Sequence, residues 1–195
     1  MATDDFAFGT VGNPASTPPK PGGTLGAIHH LAGQGLFAFE IGWVRSVRVS
    51  EATAIKMAEA AQETGVQLSV HAPYYINLNA DEEEWPKSRK RIMDAATAGH
   101  WAGATDIVIH PGSYFERPPE EVLKVALPRL SACLDELRAG GNPVILRPET
   151  MGKSAMLGSL QDTLEMSRAI EGVEPCIDFA HLHARPGDEI GRAHV

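Results

Sequence analysis

Leu68 to Asn77 reads LSVHAPYYIN, a short apolar run that stops on His71 and breaks into a loop carrying Pro73, Tyr74, Tyr75 and Asn77. Such a run is the pattern of a buried strand that delivers a side chain at its carboxyl end. The design recurs at Asp106 to Ser113 (DIVIHPGS), Val144 to Thr150 (VILRPET) and Pro175 to His181 (PCIDFAH), each run ending on His, Glu or Asp. The stretches between them have room for one loop and one helix apiece. That is a βα repeat with its functional strand ends aligned.

Working outward, Phe6 to Gly12 supplies a first strand, and Leu36 to Val44, with Glu40 inside it, a second. Gln67 to His71, Asp106 to His110, Val144 to Glu149 and Pro175 to Asp178 supply the third to sixth. Helices are predicted over Gly23 to Gly35, from the N-cap Ser50 to Gly65, over Asp81 to Gly103, from Pro118 and Pro119 to Gly140, and over Ser159 to Ile170. The inner faces are Ile92, Ala95, Ala96 and Trp101 on the third; Val122, Val125, Ala126, Leu130, Cys133, Leu134 and Leu137 on the fourth; and Leu160, Leu164, Met166 and Ile170 on the fifth. Strands alternating with helices, with runs read as apolar on both faces, predict a parallel sheet. A doubly wound sheet usually follows its first strand with G-x-G-x-x-G, and GTVGNP does not match. A (β/α)8 barrel instead gathers all its strand ends on one face. The expected fold is therefore α/β, an incomplete (β/α)8 TIM barrel with about six of eight units, its strands parallel and in sequential order, in one domain over residues 1–189.

At 195 residues with 43% hydrophobic and 22% charged residues, the chain can bury the core of one globular domain. No apolar stretch approaches the roughly 20 residues of a membrane span, and the acidic start resembles no secretory signal, so a cytoplasmic location is expected. Cys133 and Cys176 lack zinc-finger spacing and are read as buried thiols. A net charge of -8 argues against a broad basic surface for nucleic acid, so any DNA function must rest on local positive charge. Nothing in the sequence signals a protein partner.

His71, His110, Glu149, Asp178 and His181 together offer three imidazoles and two carboxylates, a set that suits zinc and, less tightly, manganese or iron. One histidine at a strand end is more often a hydrogen-bonded rim residue. Five such residues at successive strand ends point to a metal centre. Glu40 is a candidate for orienting a ligand, or for pairing with Arg45. Tyr74 is the better placed of two tyrosines for stacking on a base or sugar. His29, His30, His100 and His183 are read as structural or solvated.

HAPYYIN, VIHPGSY, RPETMGK and CIDFAHLHA, in that order, resemble the endonuclease IV family of apurinic/apyrimidinic endonucleases, within the xylose-isomerase-like barrels. The resemblance implies a DNA repair phosphodiesterase with three metal ions, normally zinc, that cleaves abasic-site duplex DNA on the 5′ side of the lesion. By motif, His71 and His110 would hold the first ion, Glu149 would bridge the first and second and sit at the catalytic centre, Asp178 would bind the second, and His181 the third. Tyr74 and Asn77 would lie on the DNA-facing loop. Clustered divalent ions would activate water and stabilise charge on the leaving oxygen, and would supply the positive charge this acidic chain lacks. The first strand departs from the family in lacking its histidine motif, and ligands from a seventh and eighth strand are absent.

A sugar or sugar-phosphate isomerase or epimerase on the same barrel is the alternative, with one or two divalent ions and an acid/base residue. A third reading is an inactive fragment that folds poorly and binds at most one metal. It goes with an expectation for Ile190 to Val195, IGRAHV, as a non-native tail, because those residues back-translate to the start of a common DNA-sequencing adapter.

Overall fold

The computed structural model describes residues 6–185. Five strands form a parallel sheet in chain order: β1 (Gly9–Val11), β2 (Ala38–Gly42), β3 (Gln67–His71), β4 (Asp106–Ile109) and β6 (Ile145–Pro148). Two further short strands, β5 (Gly112–Ser113) and β7 (Met156–Leu157), pair antiparallel outside that sheet. The helices are α1 (Gly23–Gly33), α2 (Glu51–Thr64), α3 (Trp85–Trp101), α4 (Pro119–Ala139), α5 (Leu160–Ala169) and α6 (Phe179–Ala184). Parallel strands in sequential order, each followed by a helix, make a partial TIM barrel. Among the described residues no helix is long and apolar enough to cross a membrane.

Local chemistry sets most of the boundaries. Ser50 Oγ accepts the Thr53 amide at the start of α2, and Gly65, at φ +76°, ends it in the left-handed region that glycine enters without a Cβ clash. α3 begins at Trp85 rather than Asp81, because Asp81 Oδ1 takes the amides of Glu83 and Glu84 in a turn of its own. Ile92, Ala95 and Ala96 are fully buried beneath it. On α4 Leu123 is buried where Val125 was expected, and on α5 Leu160 is 43% exposed, because it opens the first turn.

The strand runs are not apolar on both faces. Phe39, Ile41, Leu68, Val70, Ile107, Ile109 and Leu146 point out to the helices and are buried there. In the parallel register Glu40 stands beside Ser69, Ser69 beside Asp106, and Val108 beside Arg147, so the inner face is largely polar. Ser69 Oγ donates to Glu40 at 3.4 Å, and Arg147 pairs with Asp106 and, at 2.9 Å, with Glu174. Those partnerships let polar side chains occupy a face that most parallel sheets fill with hydrocarbon.

The expected sixth strand appears as two parallel bridges, Leu146 with Val173 and Glu149 with Cys176. Leu146 N donates to Gly172 O, Glu174 N to Leu146 O, Cys176 N to Pro148 O and Thr150 N to Cys176 O. The interruption falls at Pro148, which has no amide proton to continue the ladder. The expectation for Ile190 to Val195 lies outside the described residues.

Candidate metal centre

Three strand ends converge at the carboxyl edge. β3 ends on His71, β4 is followed by His110 and β6 by Glu149. His71 Nε2 lies 3.2 Å and His110 Nε2 3.0 Å from the same oxygen, Glu149 Oε2. His181 Nδ1 approaches the other oxygen, Glu149 Oε1, at 3.2 Å and Asp178 Oδ2 at 3.5 Å. Two groups of donor atoms therefore meet at Glu149: His71 with His110, and Asp178 with His181. The arrangement brings His181 close to both Glu149 and Asp178.

Proton counting constrains what this cluster holds. His71 Nδ1 sits 2.9 Å from Ala72 O, a contact that needs its proton. A neutral ring then presents the Nε2 lone pair to a carboxylate oxygen 3.2 Å away. Two acceptors face each other unless the ring gains a second proton or a cation lies between them. Burial works most strongly against charge on His71, but the hydrogen bonds to Glu149 and Ala72 and the charges of Glu149 and Glu40 together outweigh it and raise the imidazole above its ordinary 6.5. Burial likewise works to raise Glu149, yet hydrogen bonds from His110 and His71 hold it well below the usual carboxylate range. Two ligands on a tetrahedral zinc, each bonded at about 2.0 to 2.1 Å, stand about 3.3 Å apart. The nitrogen-to-oxygen spacings here are close to that, so the donor set fits a small divalent cation.

The second pair is held by backbone. Asp178 caps α6, its Oδ1 accepting the His181 amide at 2.7 Å. The Asp178 amide donates to Thr150 Oγ1 at 2.8 Å, and that hydroxyl donates to Asp178 O at 3.2 Å. His181 Nδ1 also lies 2.9 Å from Thr150 O, so the ring nitrogen that faces Glu149 and Asp178 is held against a backbone carbonyl. Thr150 is fully buried and fixes both partners, a role its place after Glu149 does not advertise.

Around the cluster, Tyr74 stacks on His110 with ring centroids 4.9 Å apart and is 49% exposed, so it offers a second aromatic surface beside the site. Asn77 turns its carboxamide oxygen inward, to the amides of Asn79 at 2.9 Å and Ser113 at 3.3 Å. A cleft of about 460 Å³ opens beside them, lined by Tyr74, Tyr75, Asn77, Arg91, Phe115 and others. Glu40 takes its hydrogen bond from Ser69, and no ion pair joins it to Arg45 among the described residues. Burial raises the Glu40 carboxyl, with His71 opposing and Glu149 adding to the rise. His29, His100 and His183 are exposed, and His30 pairs with Ser16 at 2.8 Å.

Comparison with known proteins gives a consistent picture. Residues 28–194 match the family described as xylose isomerase-like TIM barrel. The chain is 36% identical over 179 residues to the uncharacterized protein MJ0133 of Methanocaldococcus jannaschii, covering 91% of this chain and 63% of that one. It is 31% identical over 169 residues to endonuclease 4 of Thermus thermophilus, covering 83% and 60% respectively. Among solved structures, an endonuclease IV of Thermus thermophilus superposes with a TM-score of 0.66 at 26% identity, covering 89% of this chain and 64% of that one. A D-tagatose 3-epimerase-like protein superposes at 0.65, covering 81% and 64%, and at 20% identity shares the fold alone. The chain thus spans about three fifths of the length of these relatives.

Proposed function

The chain belongs to the xylose isomerase-like TIM barrel family, and from that premise we propose that the whole protein is a zinc-dependent phosphodiesterase of the endonuclease IV type. It acts on duplex DNA at abasic sites, on the 5′ side of the lesion, in the cytoplasm. The observation that carries this reading is the meeting of three imidazoles on one buried carboxylate, Glu149, with spacings that suit divalent cations.

In this reading His71, His110 and Glu149 hold one ion, and Glu149, Asp178 and His181 hold a second. Manganese or iron could replace zinc in the same donor set. Bound there, the metal supplies Lewis acidity and the positive charge that an acidic chain lacks for a phosphate. Glu149, deprotonated throughout the neutral range, bridges the two groups and fixes their separation. Ala72 O fixes the His71 tautomer, so that Nε2, the nitrogen facing Glu149, is its ligand atom. Tyr74, braced flat on His110, offers its ring to the flipped or exposed face of the DNA. Asn77 serves the same face by holding the loop, since its carboxamide oxygen already braces the backbone at Ser113.

A second reading, a sugar or sugar-phosphate isomerase or epimerase, draws support from Glu40. This carboxyl is raised by burial and points to the inner face near His71 and Glu149, where an acid/base residue would work. Incubating the metal-loaded protein with an abasic-site duplex and, separately, with ketohexoses and their phosphates decides between them. Cleavage 5′ of the lesion that stops on chelation supports the phosphodiesterase. An intact duplex alongside sugar conversion abolished by Glu40→Gln overturns it.

A further inference from the structure

We propose that Arg185 is a positioning residue for His181, and that together with Gly152 it governs the second ion position without governing the first. The inference rests on the reading of Glu149, Asp178 and His181 as metal ligands. Arg185 follows α6 four residues after His181, and its amide donates to His181 O at 2.9 Å. Its guanidinium reaches across to the loop that follows Glu149. Nη1 donates to Met151 O at 2.9 Å and Lys153 O at 3.0 Å, and Nη2 donates to Met156 O at 3.1 Å and to the Tyr114 hydroxyl at 3.3 Å. One planar fork thus gathers three carbonyls of a single loop, a task that suits guanidinium better than a lysine ammonium.

The far end of this clamp is rigid. Tyr114 OH donates to Asp162 Oδ2 at 2.5 Å, and the same carboxylate oxygen accepts the amides of Gly158 at 3.1 Å and Ser159 at 2.8 Å. Both Tyr114 and Asp162 are buried. The near end presses the loop against the ligand itself. A Cβ on Gly152 would come within 3.0 Å of His181 Cδ2 and 3.4 Å of its Cα. The loop is therefore the floor on which the imidazole rests, and Arg185 holds that floor to α6. His71 and His110 stand on β3 and after β4, and neither shares a hydrogen bond with this assembly.

Titration with Co2+ alone, followed by absorption spectroscopy and metal analysis, tests the assignment. The unmodified chain should bind two equivalents. Arg185→Met should keep one tightly bound equivalent and lose affinity for the other by about tenfold or more, within the 10–100-fold range typical of groups that orient ligands, with a changed d–d spectrum. Arg185→Lys should recover part of the loss. Gly152→Ala, which leaves Arg185 alone, should weaken the same equivalent. Two undiminished equivalents in both Arg185→Met and Gly152→Ala overturn the proposal, and so does loss of both equivalents together in both variants, which would make the clamp a general prop. Failure of the unmodified chain to bind any Co2+ overturns the metal reading first and this proposal with it.

Discussion

The two donor groups that meet at Glu149 are held by different means. His71 ends β3 and His110 directly follows β4, adjacent strands of a continuous parallel ladder, and His71 is 7% exposed. Asp178 and His181 stand on a six-residue helix joined to the sheet by two isolated bridges, and both side chains are about one third exposed. The first group inherits its geometry from the barrel. The second is held by a hydroxyl, a carbonyl and the Arg185 guanidinium, each a side-chain or loop contact that can open locally. Strand-borne ligands are set within narrow limits, whereas loop-borne ones depend on their supports.

The largest expected effect removes what the two groups share. Glu149→Gln replaces an acceptor-only carboxylate with an amide and should lower occupancy at both positions in metal analysis, along with any activity. If one ion binds as before, the groups do not share Glu149. His110→Ala should then separate them, lowering affinity at the first position by more than the 10–100-fold typical of an orienting group, while the Asp178 and His181 position keeps its ion. Equal loss at both would mean that the two regions form one unit.

A smaller effect follows from protonation. A ligand imidazole must give up its proton, and the folded apo protein raises His71 above 6.5, so metal affinity at the first position should fall as pH drops through that raised value. Without metal the sign reverses for stability. His71 contributes most below its unfolded value and loses that contribution as pH rises through the folded one. Glu149, lowered in the fold, contributes above 4.5 and loses that contribution only as pH falls towards its depressed value. Chelated protein melted from pH 5 to 8 should therefore lose the His71 contribution towards the alkaline end. A first-position affinity unchanged between pH 6 and 8 would contradict the assignment of His71.

The strand-borne group was the more legible of the two in the sequence. His71, His110 and Glu149 each end an apolar run, and that local signal carries directly into geometry because parallel strands in register align their ends. The polar inner face was not legible. Ile, Val and Leu dominate the same runs, and the alternation that turns Glu40, Ser69, Asp106 and Arg147 inward shows only once the register is known. Contacts such as Tyr114 to Asp162 or Arg185 to Met151 join residues far apart in the chain and leave no periodic trace. One support was readable: Ser159 and Asp162 form a capping box, with the spacing of that local motif. The β5 and β7 pair, two residues each, is too short to mark itself.

The smallest expected effect sharpens the comparison most directly, because it would make the weaker region more like the stronger. Pro148 is buried on the outer face of β6, and it alone interrupts the hydrogen bonds that run from Leu146 to Thr150 along the segment Gly172 to Cys176. Pro148→Val restores an amide opposite Glu174 O and places a β-branched side chain of similar bulk where strands favour one. The new hydrogen bond contributes about 0.5 to 1.5 kcal/mol, and the freed unfolded chain offsets about 0.4 to 1 kcal/mol of it. Melting should therefore shift little. Hydrogen exchange should report more, with the amide at position 148 protected and those of Glu174 and Cys176 slowed, since a continuous ladder opens less often than isolated bridges. Co2+ affinity at the Asp178 and His181 position should rise slightly, while the His71 and His110 position stays unchanged. A protected amide with no slowing at Glu174 or Cys176 would show that the two regions differ for a reason other than the break in the ladder.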